Sequence, residues 1–149
     1  MKYVRKALID KLDYLEYIEK VIELLVNYPD INALSIEKNV YMGADVDKIR
    51  EKIAEHPELR NRAITIFNKQ RTQNKDARIN AIIPDINMHN IIFNEDDVDA
   101  IEQIKQFAGA TSGIHDDAID CLADCCELLP QIKLIGNYYF VPFSAYGIN

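Results

Sequence analysis

The stretch "DYLEYIEKVIELLVNYPD", Asp13 to Asp30, constrains this chain more than any other. Tyr14, Ile18, Val21, Ile22, Leu25 and Val26 recur at helical spacing, and Pro29 and Asp30 mark the end of the run. An amphipathic helix must lay its apolar stripe on a partner, and the segment that follows changes period. In "INALSIEKN", Leu34 and Ile36 alternate with Ser35 and Glu37, which predicts a short strand. Then "MGADVDKIREKIAEHPELRNRA" returns to the helical period. Gly43 serves as the turn, Val46, Ile49 and Ile53 form the stripe, and His56-Pro57 stops it. "ITIF" reads as another short strand.

The remainder continues this alternation. "YVRKALID", ahead of the first helix, is ambiguous between a strand and the helix's first turns. "NKQRTQNKDAR" reads as a loop or helix start. "INAIIPDINMHNIIFN" reads as two short apolar segments around a turn, a hairpin with Pro84 interrupting its first arm. "DVDAIEQIKQFAG" predicts a helix with Val98, Ile101, Ile104 and Phe107 on one face and Gly109 as its stop. "DDAIDCLADCCELL" predicts a last helix with Ala118, Ile119, Leu122, Cys126 and Leu129 inward, stopped by Pro130. "LIGNYYFVPF" reads as a final strand or an ordered tail. The order implies an α/β or α+β fold around a small sheet. With 149 residues, no internal repeat and no interdomain linker, the expectation is one domain spanning 1–149. The N-terminus is too charged for a signal peptide, and no apolar run is long enough to span a membrane.

Charge is unevenly placed. The formal net charge is -7, which argues against a wholly basic coat. Yet Arg60 to Arg78 carries six bases (Arg60, Arg62, Lys69, Arg71, Lys75, Arg78) against one acid, Asp76, and is net +5. "NEDDVDAIE", Asn94 to Glu102, carries five acids and no base. Separate basic and acidic zones suit contact with phosphate in one place and a cation in another, although charge runs are most often solvated faces. Cys121, Cys125 and Cys126 lie together in one segment. An odd, clustered set is no disulfide framework, and without a CxxC pair or a second nearby His it is no zinc site. Buried thiols are the expected reading.

The segment "IHDDAIDCLADCC" poses the chemical question. Asp116, Asp117, Asp120 and Asp124 come with no Lys or Arg among them. Asp117, Asp120 and Asp124 share one helical face, and like charges at such spacing repel. Capping by Asp116 and Asp117 at the helix start explains the first pair, because free N–H groups and the helix dipole stabilise carboxylates there. It does not explain Asp120. Glu37, at the end of an apolar strand, stands where ligand sites of α/β proteins form, though a lone exposed Glu there is common. Together these acids suggest a site for Mg²⁺ or Mn²⁺, hard ions that take oxygen ligands. Two such ions about 4 Å apart can stabilise both the attacking and the leaving oxygen of phosphodiester cleavage. His115 beside them would bond phosphate or act in proton transfer, or else it is simply loop surface. The basic stretch Lys69, Arg71, Lys75 and Arg78 would bind a nucleic-acid backbone.

On these residues the chain resembles the C-terminal part of the RNase H-like nuclease domain of phage terminase large subunits. "IHDDAIDCLADCCEL" looks like that family's "HDDAIDALA" signature. "NKDARINAIIPDINMHNIIFN" is similar to its "K..RI..l.p....g.i.f" segment through Lys75, Arg78, Ile79, Pro84, Ile91 and Phe93, with "NMHN" in place of the usual turn Gly. "LSIEKNVYMG" resembles its "v.iE.n..G" strand through Ile36, Glu37, Asn39 and Gly43. The resemblance spans roughly Asp13 to Leu129.

It implies an RNase H-like α/β domain that lacks the first strands, with no "DPA"-like strand and no GxxxxGK[ST] loop of the ATPase motor. It implies Mg²⁺- or Mn²⁺-dependent cutting of double-stranded viral DNA for packaging, in the host cytoplasm, with the terminase small subunit and the portal as partners. By motif match, Glu37 takes the second metal-binding position. The third falls at Asp116 or Asp117, with Asp120 as a further ligand. The Asp-x-x-Asp pair of RuvC-like resolvases favours Asp117 with Asp120. Glu37 and these aspartates are expected to converge. The alternatives are a non-catalytic packaging or assembly module of the same fold, and a resolvase.

Overall fold

The computed structural model describes residues 1–38, 41–107 and 116–132. Its elements are β1 (Lys2–Val4), α1 (Tyr14–Asn27), β2 (Ala33–Glu37), α2 (Ala44–Glu55), β3 (Thr65–Lys69), α3 (Lys75–Asn87), β4 (Ile91–Phe93), α4 (Val98–Lys105) and α5 (Asp117–Leu128), followed by a 3₁₀ turn at Leu129–Gln131. The fold is mixed α/β, and its strands pair in two small parallel sheets, β1 with β4 and β2 with β3. The expectations at His115, Asn39, Gly109 and the "LIGNYYFVPF" tail lie outside the described residues. Two compact units emerge, one formed by Met1–Ile9 with Thr72–Lys133 and the other built around Asp10–Arg71.

The unit around Asp10–Arg71 is a helix followed by a strand–helix–strand crossover. Helix α1 starts at a capping box: Asp13 accepts from the Glu16 backbone N–H, and the Glu16 carboxylate accepts from the Asp13 N–H. The stripe behind it is buried through Tyr17, Ile18, Val21, Leu24 and Leu25. At the far end Arg62 donates to the backbone carbonyls of Leu25, Tyr28 and Ile31. These include carbonyls that a helix end leaves without intrahelical partners. Arg62, one of the six bases in the positive stretch, therefore serves the fold.

Strands β2 and β3 run parallel in register from Ala33↔Thr65 to Glu37↔Lys69. Helix α2 begins after Gly43, whose φ of 97° lies in the left-handed region that glycine adopts without Cβ strain. The core joins Tyr17, Ile18, Val21 and Leu25 to Leu34, Ile36, Val46, Ile49 and Leu59. Tyr17 donates to buried Asp45, and burial pushes its phenol well above the ordinary tyrosine range.

In the other unit β1 pairs with β4, Lys2↔Ile91 to Val4↔Phe93. "YVRKALID" thus opens as a strand. Lys2 meets Asp85, whose carboxyl is held below its usual range by that hydrogen bond and by Asn90. Lys6 and the Ala7 N–H both bind Asp97. One residue of the acidic "NEDDVDAIE" run is therefore a buried anchor.

The expected hairpin is absent, and residues 75–93 form helix α3 and then strand β4. Ile79, Ile82, Ile83 and Ile86 recur at helical spacing and pack on Ile119 and Ala123 of α5. Asn74 caps the start by accepting from the Asp76 N–H. Pro84 sits on the exposed side of the last turn, where one missing N–H is tolerated. The helix closes through His89, whose φ of 57° is left-handed, and the Asn90 N–H donates to the Asp85 carbonyl at 2.9 Å. Burial on α5 falls on Ile119, Asp120, Ala123 and Cys125, with Leu122 and Cys126 partly buried against the same core. The buried face is therefore turned from the expected one, because an acidic side chain is held inside it. No described helix is long and apolar enough to cross a membrane.

Candidate metal and phosphate site

Helices α3 and α5 lie side by side, and their polar edges face each other. Lys75 and Arg78 stand one turn apart on α3, as do Asp116, Asp120 and Asp124 along α5. The Lys75 ammonium is 2.8 Å from Asp116 Oδ1 and 3.9 Å from Asp120 Oδ2. The Arg78 guanidinium donates directly to Asp120 Oδ1, and its Nε is 3.5 Å from Asp124 Oδ1. Asp116, Asp120 and Asp124, which have no base in their own segment, are answered by bases from another helix.

The two cations differ in setting. The Arg78 and Asp120 side chains are 5% and 7% exposed, so their pair is a buried one. Lys75 is 39% exposed and Asp116 16%. A buried ion pair costs desolvation of both charges and is not by itself a source of stability, but removing one partner leaves a costly bare charge. A half-exposed lysine on four flexible bonds can leave its carboxylate for water at little cost.

Asp116 occupies the N-cap position of α5 without capping it, because its carboxylate is turned to Lys75. The first-turn N–H of Ala118 is satisfied instead by Gln103 of α4, at 2.6 Å. The expected cap is thus supplied by a residue that no local sequence signal marks. Asp117 is half-buried and has no hydrogen bond or ion pair among the described residues.

Glu37 belongs to the other unit, at the C-terminal end of β2, and its carboxylate lies 3.4 Å from Arg71 Nη1. Lys69 ends β3 opposite Glu37 in the strand register. Of the four bases expected to meet DNA, Lys75, Arg78 and Arg71 each face an acid expected to bind metal or to belong to the acidic stripe. Arg78 is too buried to reach a phosphate where it stands.

The cysteines of α5 are free thiols. Cys125 is buried, and a hydrogen bond with Cys121 together with burial raises its thiol well above the usual range. Burial raises Cys126 as well. These two thiols stay protonated and unreactive, as structural cysteines do.

Among the described residues no group of three or more His, Cys, Asp or Glu side chains is gathered around a point that would hold a metal ion. Of the acids expected to bind metal, Asp116 and Asp120 are brought to one base. These two carboxylates share one positive partner, the Lys75 ammonium. Mg²⁺ is commonly held by one or two carboxylates, several waters and a substrate phosphate, without an all-protein cage. Here both carboxylates are already taken up by Lys75 and Arg78. Comparison with family models, curated proteins and solved structures finds no match to the chain.

Proposed function

We propose that the chain is the nuclease-type portion of a phage or prophage terminase large subunit, with an RNase H-like fold, and that it serves Mg²⁺- or Mn²⁺-dependent cleavage of double-stranded viral DNA during packaging. The observation that carries this reading is the shared cation of Asp116 and Asp120 at the start of α5, in the block that matches the family's "HDDAIDALA" signature. Glu37 at the C-terminal end of a parallel strand supports it, since that is where α/β proteins place ligand-binding side chains. The residues that would hold metal in the α5 unit are Asp116, Asp117 and Asp120. Bound metal would stabilise charge on the reacting phosphate oxygens. Lys69, Arg71 and Lys75 would hold the DNA backbone, while Arg78 keeps Asp120 in position.

A second reading has its own support. Glu37, Asp116 and Asp120 each already face an Arg or Lys of the chain. A packaging or assembly module with the same fold and no cleavage would keep such compensated acids. Incubation of supercoiled plasmid with the protein and millimolar Mn²⁺ separates the two. The nuclease reading expects nicking that disappears in Asp117→Asn. DNA retention without nicking, by folded protein, selects the non-catalytic module.

A further inference from the structure

We draw no further inference here: the strongest candidate, the outer face of the β1–β4 sheet where exposed Tyr3 and Ile92 lie side by side next to Met1, carries nothing because nothing in the structure shows what covers it.

Discussion

At the scale of single residues, Asp120 is the side chain on which the α3–α5 junction depends. It is buried, it faces Arg78 directly, and Lys75 approaches its second oxygen. Asp120→Ala should therefore cost about 3–5 kcal/mol, because it leaves the Arg78 charge buried without its closest partner. Arg78→Met/Asp120→Leu should recover most of that loss, since an apolar pair of similar volume has no charge to desolvate. Urea unfolding of the two variants measures both. A small loss in Asp120→Ala would mean that Asp124 alone neutralises the guanidinium. The acidity of this face is legible in the sequence, but its neutralisation is not. Asp120 and Arg78 lie in different segments, and only the packing of one helix on another brings them together.

At the scale of elements, the helical and strand periods are readable wherever one period runs unbroken. Helix α1, strand β2 and helix α2 follow the stripes of Ile18–Val21–Leu25, Leu34–Ile36 and Val46–Ile49. The segment from Lys75 to Phe93 departs from its expected hairpin because Pro84 suggests a break and "NMHN" a tight turn. A proline late in a helix loses one hydrogen bond, and here the apolar contacts of Ile79 and Ile82 with α5 outweigh it. The turn that follows carries its own strain, because His89 holds a φ of 57° that a Cβ disfavours. His89→Gly should stabilise the protein by about 1 kcal/mol, read as a rise in the urea midpoint. No gain would mean that the flexibility of glycine in the unfolded chain cancels the relief of strain.

At the scale of the whole molecule, a net charge of -7 makes any binding of DNA local, confined to the basic stretch. Binding there should be to backbone phosphates and indifferent to base sequence. Lys69→Ala, Arg71→Ala and Lys75→Ala together should weaken binding to every duplex alike. The salt dependence should flatten by about 0.9 in the log–log slope for each phosphate that is no longer neutralised. A weakening confined to one DNA sequence, seen in filter binding at several salt concentrations, would contradict this.

The sequence by itself determined the mixed α/β character, helices α1, α2, α4 and α5, and the grouping of charge, because these follow from local period and composition. Only tertiary structure decided which charges meet. Glu37 faces Arg71, Asp116 faces Lys75 and Asp120 faces Arg78, each pair joining residues far apart in the chain. The physical reason is that a carboxylate's electrostatic environment is set by what stands within a few ångströms, and strand register and helix packing choose those neighbours.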